Sequence, residues 1–527
     1  MSDVKAANSS QATVEAPTPR TVEYWASEKP DALALVEGEK SLTYGDWNTQ
    51  ADKVAEGFAR LGVEAGDVIV TRLQIRLEWA IIASAAAKLG CSILGLNWRL
   101  TPSEVNYVLT NSDARVLICD DADPVALLPA FEGAALKLKV SLDVPADEFV
   151  SYDDLFVEDA PARFSKGEAP LIIYTSGTTG LPKGVNMSPG EGADMQKIME
   201  YFQSLAAARP QFPGDVVLIS MPMHHGAGPG LVRGTLANGN TGILQQRFDP
   251  EGTLKLMEQH KVTFWTGVPT MYKRINGLPE ETLNKYDVSS LRSLGVGAAP
   301  VPASLKEWIR SFFGEVLHES YGATEVGMIS NLAPEEQKLK PGSSGKPHKH
   351  VLIEIRDEDG NVLPAGQAGE IWINTPVTIR NYVNADLLAN DTLDDRGYFR
   401  VGDAAMLDED GYIFITDRVK DMIISGGVNI YPAEIEAALI QHPDIQDVAV
   451  IGVPDDEFGE KVMAFVELKP GKSLGEDAVR DFASEHLASY KRPRVIEFRE
   501  ELPRNTMGKL LKKDLRAPFW EGRERAV

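Results

Sequence analysis

The segment Thr175–Gly184 carries three Gly, three Thr and one Ser behind the apolar run Leu171-Ile-Ile-Tyr174. It reads as a polar loop leaving a strand, whose glycines free backbone N–H groups to wrap phosphate oxygens. The hydroxyls of Ser176, Thr178 and Thr179 face the same task, and Lys183 adds positive charge, so the loop suits a triphosphate. No Gly-x-x-x-x-Gly-Lys-[Ser/Thr] spacing can be laid over it, which separates it from the P-loop of kinases and motor-type ATPases. By composition alone, a surface linker of small polar residues accounts for the segment equally well.

Further chemistry-bearing residues stand downstream. Tyr321-Gly-Ala-Thr-Glu-Val-Gly327 sets an aromatic face, a hydroxyl and a carboxylate in a short run, although Thr324 and Glu325 could equally open a helix. Asp403 follows a strand-like run beside Gly402, where an ordinary turn residue would also sit. Lys509 follows Gly508, which lets the backbone pass close to a ligand; Lys512, Lys513 and Arg516 nearby leave a solvated basic helix start as the plainer account. His224 and His225, in Met221-Pro-Met-His-His-Gly226, have no third ligand at a suitable spacing, so a zinc site is rejected. Cys91 and Cys119 make neither a disulfide framework nor a paired metal spacing and read as small core residues in a reducing compartment, the cytosol.

These residues must be positioned by a large body. The chain has 527 residues, beyond the size at which one core stops growing. Its formal charge of −24 excludes general affinity for nucleic acid or anionic membrane, so anionic ligands must meet local positive sites. From Thr43, apolar Trp47, Ala51, Val54, Ala55, Phe58 and Leu61 recur at helical spacing up to Gly62, and Val68-Ile-Val70 follows as a buried strand. The alternation returns around 80–96, 116–119, 216–219, 254–265 and 305–316, predicting a layered α/β body with largely parallel sheets. Trp79–Leu96, which carries Lys88, reads as a buried helix and strand, not as a membrane span. After about residue 345, short β-rich runs joined by Asp-Gly and Gly-Asn turns predict a small antiparallel β-subdomain. Beyond Asp421 a compact α+β module follows, with helices at 432–440 and 476–487 and strands at 447–451, 462–468 and 495–498.

Tyr174-Thr-Ser-Gly-Thr-Thr-Gly-Leu-Pro-Lys-Gly184 resembles the signature loop of the adenylate-forming superfamily: acyl-CoA synthetases, luciferases and peptide-synthetase adenylation domains. Pro222-Met-His-His225, Gly297-Ala-Ala-Pro300, Tyr321–Gly327, Tyr398–Asp403, Asp417–Asp421 and Pro503–Lys509 match the family in order, and the likeness runs from about residue 20 to the end. The resemblance implies a flexible tail at 1–20, an N-terminal adenylation domain at 21–417 and a small mobile C-terminal lid at 418–527, hinged near Lys420. It implies that Thr175, Ser176, Gly177, Thr178, Thr179, Gly180 and Lys183 hold the ATP phosphates. Gly297, Ala298, Ala299, Gly322 and Ala323 would bind ATP or AMP, Tyr321 would stack on the adenine, and Asp403 and Arg418 would hold the ribose. By the same likeness Thr324 touches the α-phosphate, Glu325 binds Mg²⁺ and Lys509 stabilises the charge that grows on the reacting oxygens.

The implied activity is that of an AMP-forming acid:CoA ligase. A carboxylate attacks the α-phosphorus of ATP, pyrophosphate leaves, and the CoA thiol then attacks the acyl-AMP after the lid rotates to bring Gly426 and Gly427 to the pantetheine tunnel. His225, Trp265, Val268 and Val296 are expected to line the acyl pocket, with room for a hydrophobic fatty, aryl or steroid-like group, although core packing explains Trp265 and Val268 as well. Small molecules are the implied partners, and a homodimer is compatible with the sequence. Two alternatives stand: an adenylating enzyme that passes its acyl group to a carrier protein or other acceptor, and a catalytically silent nucleotide-binding homologue. Three positions depart from the family pattern. Asp417 stands where a Gly is usual, Val428 replaces a common acidic residue, and Asn186-Met-Ser-Pro189 lacks the His that often ends the signature loop.

Overall fold

The computed structural model describes residues 17–175, 182–190, 192–299, 301–418, 421–425, 428–455, 458–505 and 508–521. Ser176, Gly177, Thr178, Thr179, Gly180, Lys420, Gly426 and Gly427 therefore lie outside the described residues. The chain divides into two units, 1–172 with 227–244 and 173–226 with 245–527.

In the first unit the helical spacing after Thr43 yields the Tyr44–Arg60 helix, closed at its start by a capping box between Thr43 and Asp46. Trp47, Ala51, Val54, Ala55 and Phe58 form its buried stripe. Val68–Arg72, Ser92–Gly95, Ala114–Cys119 and Leu138–Ser141 pair in parallel, as continuous apolar runs do when both faces are covered. Cys91 and Cys119 are buried and unbridged within this layer. The stretch read as a buried helix and strand is the Leu77–Leu89 helix and the Ser92–Gly95 strand. No helix among the described residues is long and apolar enough to cross a membrane.

The second unit is built on a sheet whose strands run, in order, Lys346–Pro347, Gly327–Leu332, Leu317–Ala323, Ser293–Gly297, Phe264–Gly267 and Val216–Ile219. The last four are mutually parallel, so their C-terminal ends share one edge. Ligands of open α/β sheets gather at such edges. Register fixes what each face carries, because side chains alternate along a strand and paired residues look the same way. The row Leu218, Trp265, Leu294 and Leu317 faces one side, together with Val296, and is closed off by Tyr272 of the Pro269–Asn276 helix. The row Thr266, Gly295 and His318 faces the other side, together with Phe264, Ser293 and Gly297.

Two further layers follow in the same unit. Leu352–Arg356, Gly369–Asn374, Phe399–Leu407 and Ile413–Arg418 make the antiparallel β-subdomain anticipated from the turns, around a core that includes Ile355, Ile371, Ile373 and Phe399. The C-terminal α+β module packs the Pro432–Leu439 and Glu476–His486 helices on the long Ile445–Asp455 and Gly459–Leu468 hairpin. Val495–Arg499 joins that hairpin in parallel.

Candidate active site

The residues expected to meet adenosine stand on two strands. The Leu317–Ala323 strand carries Tyr321, whose Oη donates to Asp403 Oδ2 at 2.7 Å. Asp403 is buried in the Phe399–Leu407 strand and pairs directly with Arg418 across the hairpin. An aromatic ring, a carboxylate and the backbone of an arginine are thus brought together. Beside them Gly297 has no room for a side chain, since a Cβ would meet the Ser320 carbonyl at 2.6 Å. Ala298 next to it takes φ of +66°, a left-handed conformation that costs a non-glycine residue energy and is found where a site over-determines the backbone.

Glu325 and Lys183 are brought together by a residue that sequence reading missed. Tyr382 Oη donates to Glu325 Oε1 at 3.3 Å, while Lys183 Nζ lies 4.9 Å from the centre of the Tyr382 ring. Burial, and then the Glu325 charge, push the Tyr382 phenol well above its ordinary pKa, so it stays a donor at neutral pH. Val383 N–H donates to the Gly184 carbonyl at 2.8 Å, tying the flank of the signature loop to the same segment. Thr175 Oγ1 donates to the Lys183 carbonyl at 3.5 Å across the base of the loop. Thr324 and Glu325 form the turn between Leu317–Ala323 and Gly327–Leu332, not the first turn of a helix. Tyr382 carried no periodic signal, only an aromatic ring in a polar stretch after a strand.

Lys509 sits in a tight loop. Its N–H donates to Asn505 Oδ1 at 2.9 Å, and Gly508 before it takes φ of +71° against the Thr270 side chain, where a Cβ would collide. Only glycine fits there for both reasons. Arg504 Nη1 donates to the Gly508 carbonyl at 2.9 Å and Nη2 bonds Asp447, which Lys273 Nζ of the Pro269–Asn276 helix also reaches at 3.1 Å. The loop is therefore braced on the helix that follows the Phe264–Gly267 strand.

The expected acyl-pocket residues separate by face. Trp265 is 0 % exposed and Val296 1 %; Trp265 donates to Ser220 Oγ at 2.8 Å and its ring meets Tyr272 at 4.7 Å, so both belong to the core behind the sheet. Val268 is buried at the N-cap of the Pro269–Asn276 helix. His225 stands in the turn after Val216–Ile219, where burial lowers its pKa and keeps the imidazole neutral. The side of the sheet that retains accessible surface is the other one, at Thr266, Gly297, Ser320 and Asn331. It is polar and glycine-rich where an apolar wall was expected.

A family model described as AMP-binding enzyme matches residues 22–383, and its C-terminal-domain companion matches 434–509. The chain belongs to the AMP-binding enzyme family, the adenylate-forming enzymes. A feruloyl-CoA synthase of Amycolatopsis sp is 34% identical over 93% of this chain and 96% of that protein. Among solved structures, ATP-bound MatB from Rhodopseudomonas palustris is similar at a TM-score of 0.83 and 28% identity, over 95% of this chain and 99% of that one. The o-succinylbenzoate CoA synthetase MenE from Bacillus subtilis, in complex with its acyl-adenylate intermediate, gives a TM-score of 0.80 at 29% identity over 95% and 98%. Within the family the chain falls in the AMP-forming acyl-CoA synthetase branch, as its motifs implied.

Proposed function

We propose that the second unit holds ATP between Tyr321, Asp403 and Arg418 at the adenosine and Lys183, Thr324 and Glu325 at the phosphates, and that Lys509 serves the adenylation step. The observation that carries this reading is the pair of contacts Tyr321–Asp403 and Tyr382–Glu325, which organise the two ends of one nucleotide from a single strand and the turn after it. The bound carboxylate attacks the α-phosphorus in line as pyrophosphate leaves, and the CoA thiol then displaces AMP from the acyl carbon. Alignment and charge neutralisation supply the catalysis, so no covalent nucleophile on the enzyme is needed.

Among the described residues no three His, Cys, Asp or Glu side chains form a metal cage. A lone Glu325 suits Mg²⁺, which takes most of its oxygens from phosphate and water and would neutralise phosphate charge there. The domains divide near Lys420, with 418–527 as the mobile lid and Gly426 and Gly427 on the pantetheine path. The buried, unbridged Cys91 and Cys119 support a cytosolic setting.

The test is AMP and pyrophosphate release from ATP against a panel of aryl, fatty and dicarboxylic acids, with and without CoA and Mg²⁺. Acid-dependent release that CoA stimulates is expected. Lys509→Ala should depress acyl-AMP formation far more than CoA transfer from supplied acyl-AMP. A panel that yields no AMP refutes the ligase reading, and equal loss of both half-reactions refutes the role given to Lys509.

A further inference from the structure

One buried cation has no part in the nucleotide chemistry. Arg209 follows the Met195–Ala208 helix, and its guanidinium lies 3.7 Å from the centre of the Phe264 ring, on the open side of the sheet. Nε donates to Ser293 Oγ at 2.7 Å, Nη1 to Thr266 Oγ1 at 2.6 Å, and Nη2 to the Trp265 carbonyl at 2.6 Å and the Ser293 carbonyl at 3.3 Å. It rests on Gly295, where a Cβ would collide with Nη1. Every one of these partners is neutral. Burial lowers the Arg209 pKa to about 9, the mark of a charge held without a counter-ion. His318, on the same face, is brought down to about 4 by burial and then by the Arg209 charge, so it offers no compensating anion and no competing cation at neutral pH.

Three features make this arrangement a recognition device more than a structural tie. Arg209 lies on the face of the sheet where its neighbours Thr266 and Gly297 retain accessible surface. Its acceptors fix the guanidinium in one plane, and Nη1, with two N–H groups, spends one on Thr266. Finally, the strand beneath carries no side chain at Gly295, whose place Nη1 itself takes, or at Gly297, one pleat nearer the nucleotide edge. Two residues of strand span about 7 Å, roughly one aromatic ring.

We propose that Arg209 is the specificity-determining residue of the acid pocket. The acid this enzyme activates carries an oxygen acceptor, a phenolic hydroxyl or a second carboxylate, at the end remote from the reacting carboxylate, and that acceptor docks on Arg209. The inference rests on the acid:CoA ligase reading above and names the substrate class it left open. A compact oxygenated acid that enters from the nucleotide edge meets Arg209 with an acceptor, whereas a long alkyl chain would bring nothing to a charge whose partners are all neutral.

The full-length enzyme is assayed by pyrophosphate release with CoA on matched acids: cinnamate against 4-hydroxycinnamate, benzoate against terephthalate, octanoate against octanedioate. The oxygenated member of at least one pair should be favoured in kcat/KM by roughly a hundredfold, the size expected when its absence leaves a buried polar group unmet. Which pair shows the preference tells phenol from carboxylate. Arg209→Gln should erase it by raising KM for the oxygenated acid at least tenfold, while the unsubstituted acid stays within about threefold of wild type. Equal handling of both members of every pair by the wild-type enzyme overturns the proposal without any variant, and leaves the ligase reading standing. An equal fall for all acids in Arg209→Gln likewise overturns it, by making Arg209 a structural residue. If no acid yields pyrophosphate, the ligase reading itself fails and this inference with it.

Discussion

Lys273→Ala tests how Lys509 is delivered. Asp447 joins two cations: Lys273 on the body helix at 3.1 Å, and Arg504, which in turn holds the Gly508 carbonyl at 2.9 Å. Removing Lys273 leaves the Asp447–Arg504 pair intact, so the loop keeps its own geometry and loses only its anchor on the body. The Lys273 and Asp447 side chains are 21 % and 12 % exposed. A fully exposed pair contributes at most about 1 kcal/mol and a fully buried one costs roughly 3–5 kcal/mol to break. The intermediate burial puts this anchor at about 1–2 kcal/mol, or roughly a 5- to 30-fold loss of rate if the loop must be seated for reaction. The loss should fall on acid-dependent ATP–pyrophosphate exchange, while CoA transfer from supplied acyl-AMP changes less than about twofold, as the proposed lid rotation requires. Asp447→Asn should fall further, since it also frees Arg504, and the double variant should show a coupling of about 1 kcal/mol in a mutant cycle. Equal losses in both half-reactions, or strictly additive single effects, would refute the idea that this ion pair seats Lys509.

Two further outcomes follow from the same geometry. Tyr382→Phe removes the donor 3.3 Å from Glu325 but keeps the ring under Lys183, so it should raise KM for Mg·ATP by roughly 3- to 10-fold, the worth of one charge-assisted hydrogen bond; a Mg²⁺ titration at fixed ATP checks it. His318 has a folded pKa of about 4 against an ordinary 6.5, so the unfolded chain binds the proton first as pH falls. Stability from this group is therefore complete above about pH 6.5 and is lost as pH drops toward 4, by up to about 3 kcal/mol. His318→Asn should flatten the fall in thermal midpoint between pH 7 and 4.5, and an unchanged slope would show that other groups control it.

How far the sequence could be read depended on what each signal encodes. The Tyr44–Arg60 helix was legible because a capping box and a buried stripe are local facts, and the antiparallel layer because its turns are. Tyr321, Asp403 and Lys509 were found only through ordered motifs, since alone each passes for a turn or surface residue. Asp417, which departs from the family pattern, has a reason no sequence window could supply: its Oδ2 accepts from the Ala433 N–H at 2.7 Å, satisfying a donor in the first turn of the Pro432–Leu439 helix. Tyr382 and Arg209 escaped because each acts through partners 56 residues away or more.

Which face of the central strand Trp265 takes was hidden from the sequence for a different physical reason, and it bears on the substrate. A central parallel strand is buried on both faces, so Phe264-Trp-Thr-Gly267 offers no alternation by which to choose the face that meets the ligand. The large apolar ring drew the assignment to Trp265, yet large apolar rings are what a sheet packs against its helices. Pairing register reverses the choice. Trp265, Leu294 and Leu317 share the closed face, and the residues one step away, Thr266, Gly295 and His318, share the other. That second face carries the two glycines, the Thr266 hydroxyl and the Arg209 guanidinium. Such a face recognises a polar, oxygen-bearing acid by hydrogen bonds and gives a saturated chain nothing to replace the water it must displace.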